Sequence, residues 1–229
     1  EKFAAEVRKE GLDWADLTEE ERNRIIDDCL DQVSADYGNT ILKSSARNEY
    51  MIERTRRILR RTVWALQEQL KHGAFRPEGF EVRFQGGRID RVDIMEEPEN
   101  NRVYVKVIDY KTGNTSFDLL ALYHGLQLKL MVYLDGALQV EKRKYPDREI
   151  VPAGVFYYNV KDPMIQEKIH ADMESINEQM LKKMKMNGLV QADDNMSTKI
   201  DSTMASIPVS LNRDGSFSKR SSVASRKQF

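Results

Sequence analysis

The 229-residue chain carries 36 Lys and Arg against 37 Asp and Glu, a net charge of −1, and 40% of its residues are hydrophobic. This is an ordinary soluble composition for one large domain, or for a domain plus an arm, and the charge does not by itself indicate a nucleic-acid binder. No apolar run is long enough to span a bilayer and the single cysteine, Cys29, excludes an internal disulfide, so we expect no membrane contact and a cytoplasmic location.

Residues 1–45 are predicted to form a helical N-terminal arm. Thr18 and Glu21 have the spacing of a capping box, which predicts a helix that starts there and runs to about Val33, followed by a break in the helical pattern at 37–39. Cys29 lies on the apolar side of that helix and is expected to pack as a small hydrophobic residue. Because the chain opens on Glu1 and not on Met, we expect a fragment of a longer protein.

Residues 46–190 are predicted to form the core domain, beginning with a long helix from Ala46 to Leu70. Its apolar side is expected to include Met51, Ile58, Leu59, Val63, Leu66 and Leu70. Five arginines crowd the middle of this helix, among them Arg60 and Arg61. One interpretation is a solvated helix face. The other is contact with DNA phosphates, which makes Arg60 and Arg61 candidate DNA-binding residues.

Three strands are predicted next, separated by turns. Alternation of apolar and charged residues over 80–84 indicates the first strand, and Gly86 and Gly87 supply a turn before the second. A second turn over 98–101 leads into the third strand, which ends in Asp109 and Lys111. Antiparallel pairing is expected between the first strand and its neighbour.

The third strand carries the most informative pattern in the chain. Residues i and i+2 share a face of a strand, so Asp109 and Lys111 continue the face that begins with three valines, Val103, Val105 and Val107. An ordinary amphipathic strand does not put charges in line with its core residues. The face is therefore expected to run out of the core into a polar pocket, where Asp90 of the preceding strand joins Asp109 and Lys111.

Two carboxylates and a lysine in one pocket suit metal-dependent phosphodiester hydrolysis. Mg²⁺ takes one or two carboxylates together with water and substrate phosphate, and Asp90 and Asp109 could provide the carboxylates. Lys111 would orient or help to deprotonate the attacking water and offset charge in the transition state. A surface ion pair on a β-hairpin is the alternative.

Residues 87–93 (GRIDRVD) together with 108–113 (IDYKTG) resemble the RecB-type nuclease group of the PD-(D/E)XK superfamily. Within it, most of the chain from about Asn48 is similar to the C-terminal nuclease domain of AddB proteins from Gram-positive bacteria. The resemblance implies a restriction-endonuclease-like α/β core with Asp90 and Asp109 as metal ligands and Lys111 as the catalytic lysine. It also implies Mg²⁺, replaceable by Mn²⁺, DNA as substrate and an AddA-like helicase–nuclease partner.

A single helix is predicted from Phe117 to about Val140. The nuclease group often has Gln and Tyr four residues apart here, near the metal and the DNA. In this chain the residue four before Tyr133 is Lys129, so the strict pattern is missing. Gln127 and Tyr133 are kept as candidate substrate-binding residues, with a polar residue satisfied on the helix flank as the alternative for Gln127.

The rest of the chain completes a mixed sheet flanked by helices. The apolar run over 151–160 indicates a buried, parallel strand reached through the preceding helix as a crossover. A helix with a core stripe at Ile169, Met173, Ile176 and Met180 follows. Residues 191–229 are a polar extension, expected to end before the cysteines that bind an iron–sulfur cluster in full-length AddB proteins, so that this fragment carries no cluster.

The sequence therefore predicts a Mg²⁺-dependent DNA exonuclease domain of a helicase–nuclease that processes double-strand breaks for recombinational repair. The alternative is a non-catalytic DNA-binding or scaffold domain that keeps the nuclease fold. A third interpretation, a helicase-docking role, applies to the N-terminal arm and the C-terminal extension.

Overall fold

The computed structural model describes residues 1–36, 45–165 and 172–229. The described residues fall into two compact units, one made of Glu1–Lys71 with Val160–Met164 and the other of His72–Asn159 with Ile165–Phe229. The boundaries of these units differ from those of the three predicted domains, 1–45, 46–190 and 191–229. That division into three domains stays a prediction. In the described part of the chain, no helix is both long and apolar enough to cross a membrane.

The first unit is helical, with α1 at Lys2–Lys9, α2 at Glu19–Asp36 and α3 at Ala46–Lys71. The capping box is confirmed: the Glu21 carboxylate accepts from the Thr18 backbone N–H at 2.9 Å, and Thr18 Oγ1 accepts from the Glu21 N–H at 3.2 Å. Cys29 packs in a small apolar cluster, as expected. The break predicted at 37–39 lies outside the described residues.

The long helix α3 has the predicted bounds, but its apolar side is shorter than predicted. Val63, Leu66 and Leu70 are buried, whereas Met51 is exposed. The assignment of Met51 to the apolar side is wrong because α3 has no buried residue before Thr62. Its first four turns are covered by charged side chains instead.

The second unit contains a mixed sheet of six strands within the described residues, in the order β1–β2–β3–β4–β5–β6. The strands are β1 (Arg76–Phe84), β2 (Gly87–Glu97), β3 (Arg102–Lys111), β4 (Glu149–Asn159), β5 (Asn187–Gln191) and β6 (Val223–Ala224). The β1–β2, β2–β3 and β4–β5 pairs are antiparallel, and β3–β4 and β5–β6 are parallel. The predicted strands and their antiparallel start are confirmed.

Within the described residues, four helices lie between strands along this part of the chain, and one of them packs on the sheet. The four helices are α4 (Leu119–Tyr123), α5 (Lys129–Lys144), α6 (Met173–Lys183) and α7 (Met196–Ile200). α5 is the crossover between the parallel strands β3 and β4, and it buries Leu130, Leu134 and Ala137 against the valines of β3. This packing fixes the start of α5 over the end of β3.

The prediction of one helix from Phe117 to Val140 is wrong, because two helices occupy this segment. Asp118 caps α4 by accepting from the Leu120 N–H at 2.8 Å. Gly125 then adopts a left-handed conformation, with φ at 74°, which ends the first helix. α5 starts four residues later, at Lys129.

The core stripe predicted for the next helix is also partly wrong. α6 begins at Met173, and that side chain is exposed, whereas Met180 is buried. Met173 follows the N-cap Asp172 directly, so it lies in the first turn, before the part of the helix that packs on the unit. Ile169 lies outside the described residues.

Candidate active site

Asp109 is the centre of a charged cluster at the end of β3. Its side chain is 1% exposed, although the strand carries it beyond the valines of the core. Lys111 shares its face, and the Lys111 Nζ lies 2.5 Å from Asp109 Oδ2. The ring of Tyr157, which pairs with Asp109 on β4, lies 5.4 Å from the same ammonium. The structure therefore brings Asp109 and Lys111 into contact at the end of β3, whereas a polar pocket there stays a prediction.

Asp90 of β2 reaches the same end of the sheet. Its Oδ2 accepts a hydrogen bond of 2.8 Å from the backbone N–H of Tyr110, the residue between Asp109 and Lys111. In the antiparallel register of β2 and β3, Arg91 pairs with Ile108 at this end of the strands. Asp90 and Asp109 are the next residues of the two strands. Strand geometry thus gathers Asp90, Asp109 and Lys111, as the i, i+2 pattern predicted.

Lys129, the first residue of α5, completes the cluster. Its Nζ lies 2.7 Å from Asp109 Oδ1 and 4.9 Å from the ring centroid of Tyr133. Burial lowers the pKa of Lys129, but its side-chain hydrogen bonds, the one to Asp109 first, and the charge of that carboxylate together outweigh burial, and the pKa is raised overall. From the sequence, Lys129 was named only because it stands where the nuclease group often has Gln, four residues before Tyr133. Its spacing from Tyr133 was the signal that could have assigned it to the site.

The other predicted substrate-binding residues lie in different settings. Gln127 accepts from the Asp118 N–H and donates to the Ser116 carbonyl, both at 3.0 Å, and so holds the segment before α4. Tyr133 packs on the core, edge-on to Phe84 with 5.8 Å between ring centroids. Neither position decides whether these residues contact DNA.

Arg60 and Arg61 belong to the other unit and are paired there. Arg60 forms an ion pair with Asp27, and Arg61 forms one with Asp162. Their neighbours Arg56 and Arg57 are paired with acids of the same unit. Four of the five arginines in the middle of α3 thus form ion pairs, and contact of Arg60 and Arg61 with phosphate stays a prediction.

A second charged cluster lies on the opposite face of the same strands. Asp93 lies between Arg91 and Lys106, with Arg91 Nε at 2.6 Å and Lys106 Nζ at 3.0 Å from its carboxylate oxygens. All three side chains are at least 96% buried. Burial raises the pKa of Asp93, but the charges of Arg91 and Lys106 prevail and lower it. This sealed cluster has no opening for a substrate.

The donors at the end of β3 fit a hard divalent cation. Asp90 and Asp109 provide carboxylate oxygens from adjacent strands, the number that Mg²⁺ usually takes beside water and phosphate. Among residues 1–36, 45–165 and 172–229, no group of three or more His, Cys, Asp or Glu side chains converges on a metal position.

Residues 3–217 match the family model of the PD-(D/E)XK nuclease superfamily. The chain belongs to this nuclease superfamily. The name of the superfamily contains (D/E)XK, an acid followed two residues later by a lysine, and Asp109 and Lys111 have this spacing.

Relatives of this nuclease chain are named as one subunit of an ATP-dependent helicase/deoxyribonuclease. The chain is 40% identical over 249 residues to that protein from Lachnoclostridium phytofermentans and 36% identical over 255 residues to that from Alkaliphilus metalliredigens. The protein from Clostridium acetobutylicum is 33% identical over 253 residues. All of this chain is covered in each case, but only 21–22% of each relative. The chain spans about a fifth of the relatives' length.

Proposed function

We propose that the chain is a Mg²⁺-dependent DNA exonuclease domain, with Asp90 and Asp109 as metal ligands and Lys111 as the catalytic lysine. The observation that carries the proposal is the contact between Lys111 and Asp109 at the open end of β3, next to Asp90. The names of the relatives support a place in a helicase–nuclease with an AddA-like partner, acting on double-strand breaks in DNA for recombinational repair.

The residues divide the hydrolysis of a phosphodiester among them. Asp90 and Asp109 would hold the cation, which would supply positive charge near the phosphoryl oxygens and lower the pKa of a water. Lys111 donates hydrogen bonds from its ammonium to the attacking water and to the phosphoryl oxygen where negative charge develops. Water adds to phosphorus, the bond from phosphorus to the leaving sugar oxygen breaks, and a phosphate monoester and a free hydroxyl result.

The surroundings of Lys111 prepare it for this role. Its side chain is 26% exposed, so the ammonium reaches solvent and substrate while its stem stays packed. Asp109 and the ring of Tyr157 hold the ammonium at the end of the strand. A lysine on a strand end is more rigidly placed than one on a loop, which favours a fixed distance to phosphorus.

In the proposed DNA contacts of Arg60 and Arg61, a phosphate group takes the place of the carboxylate that each guanidinium now binds. Each guanidinium is paired with a carboxylate, so a DNA phosphate would replace Asp27 or Asp162 as its partner. Such contacts add affinity that falls with salt and does not depend on base sequence.

The test is cleavage of end-labelled single-stranded DNA with Mg²⁺ or Mn²⁺ by the wild-type chain, Asp109→Asn and Lys144→Ala. Lys144 is an ion-paired lysine far along α5 and serves as the control. We expect Asp109→Asn to lower the cleavage rate by roughly 10³-fold, several kcal/mol of transition-state stabilisation, and to leave DNA binding nearly intact. Lys144→Ala should cleave like wild type.

A scaffold domain that binds DNA without cleaving it is the second candidate. It is favoured by one observation: each oxygen of Asp109 faces an ammonium, from Lys111 and Lys129. Wild-type protein that binds the DNA but does not cleave it with either metal, alone or with its helicase–nuclease partner, would support this candidate against the nuclease.

A further inference from the structure

Asp109 is the most enclosed acid of the candidate active site, and an ammonium lies close to each of its oxygens. Oδ2 lies 2.5 Å from the Lys111 ammonium, and Oδ1 lies 2.7 Å from the Lys129 ammonium. A divalent cation that binds through Asp109 must approach one of these oxygens. It would then lie within a few ångströms of an ammonium of the same sign, so one lysine has to give way.

The two lysines are held differently. Lys111 is part of the same strand as Asp109, and its side chain is 26% exposed. Lys129 comes from a helix that crosses the sheet, and its side chain is 45% exposed. The more exposed ammonium loses less hydration on binding and regains it more readily, so Lys129 is the easier one to displace.

The helix end gives a second reason. Lys129 is the first residue of α5, and the first turn of α5 contains no acidic residue. The positive end of the helix dipole disfavours a cation at this position. The ammonium stays there because Asp109 attracts it, and it lies at the same time 4.9 Å from the ring centroid of Tyr133, one turn along the helix.

We propose that Lys129 is a built-in competitor for the metal, whose ammonium holds Asp109 Oδ1 in the metal-free site and is displaced when a divalent cation binds. The inference rests on the proposed function, because it requires Asp109 to be a metal ligand. It adds that metal affinity at this site is set by a lysine of the neighbouring helix and not by the carboxylates alone.

Lys144, at the other end of α5, provides a matched control. It contacts Glu141, whose side chain is 1% exposed, at 2.8 Å, and its own side chain is 42% exposed. Lys144 therefore resembles Lys129 in three ways: it lies on the same helix, its side chain is similarly exposed, and it contacts a buried carboxylate. It differs in lying at the helix C-terminus, where the dipole favours a cation.

The experiment is calorimetric titration of the 229-residue chain with MgCl₂ and MnCl₂ in the absence of DNA. The proteins are wild type, Lys129→Gln, Lys129→Arg, Lys144→Gln and Asp109→Asn, each confirmed as folded by its circular dichroism spectrum. We expect Lys129→Gln to bind metal roughly 3- to 30-fold more tightly, since a competing charge is removed. Lys129→Arg, which keeps the charge, and Lys144→Gln should bind like wild type.

The outcomes separate this inference from the proposed function. If Asp109→Asn abolishes binding but Lys129→Gln binds no more tightly than wild type, the inference is overturned and the metal site stands. If Asp109→Asn binds metal like wild type, Asp109 is not a ligand, and both fall. Tighter binding by Lys144→Gln as well as Lys129→Gln would show a general charge effect and would also overturn the inference. So would the absence of binding heat in both wild type and Lys129→Gln.

Discussion

Two clusters that involve β3 each contain one carboxylate and two cations, but the surroundings of the clusters differ. In each, one carboxylate lies between two cations: Asp93 between Arg91 and Lys106, and Asp109 between Lys111 and Lys129. The cations of the first cluster are 1–4% exposed, and those of the second are 26% and 45% exposed. A carboxylate flanked by two cations therefore does not mark an active site by itself. Access for a phosphate and a metal separates the two clusters.

The largest expected effect on stability is at the sealed cluster. Asp93→Ala leaves Arg91 and Lys106 buried without their shared carboxylate, and removing one partner of a buried ion pair costs about 3–5 kcal/mol. We expect the free energy of unfolding to fall by that amount, measured by denaturant titration followed by circular dichroism.

Asp109→Ala is the matched change at the open cluster. Here Lys111 and Lys129 can turn their ammonium groups to water, so we expect a loss of about 1 kcal/mol or less. The two losses are measured in the same titration series. Equal losses would contradict the distinction between a sealed and an open cluster.

Acid should affect the sealed cluster in a defined direction. Burial raises the pKa of Asp93, but Arg91 and Lys106 prevail, and the folded value lies below the ordinary 3.8. The stability that this acid contributes is therefore present above about pH 3.8 and is lost as the pH falls through the folded value. Unfolding measured between neutral pH and pH about 3 should show less acid destabilisation for Asp93→Asn than for wild type. An identical pH profile would argue against an ionised Asp93.

The smallest expected effect concerns the segment that leads from β3 to α5. Gln127 makes two hydrogen bonds to the backbone of residues 116 and 118, so Gln127→Ala should cost about 1 kcal/mol of stability. Thermal unfolding measures this change. A DNA affinity lowered at least tenfold with an unchanged melting temperature would instead assign Gln127 to substrate contact.

The sequence predicted the part of the site that is local. Asp109 and Lys111 follow three valines at a spacing of two, and the alternation of a strand brings them to one face wherever that strand lies. Asp90 was placed correctly because a short turn joins β2 to β3 and fixes their antiparallel pairing. Both inferences depend on a hairpin of neighbouring residues.

The parts that sequence reasoning missed depend on contacts between distant segments. Lys129 contacts Asp109 because of the position at which α5 packs across the sheet. Helical periodicity in the sequence does not specify that position. The break at Gly125 was missed because the flanking leucines continue a helical pattern across it. Arg91 and Lys106 look like solvent-facing strand residues, and only the packing on that face shows that they are buried.

The most direct measurement compares one lysine from each cluster in single-turnover cleavage of single-stranded DNA with Mg²⁺. The variants are Lys111→Ala and Lys106→Met, assayed with wild type at a temperature at which circular dichroism shows all three to be folded. We predict that Lys111→Ala loses roughly 10²–10³-fold in rate, whereas Lys106→Met melts at a lower temperature but cleaves within a few-fold of wild type. Wild-type rates for Lys111→Ala, or equal losses in both variants, would contradict the assignment of catalysis to the open cluster.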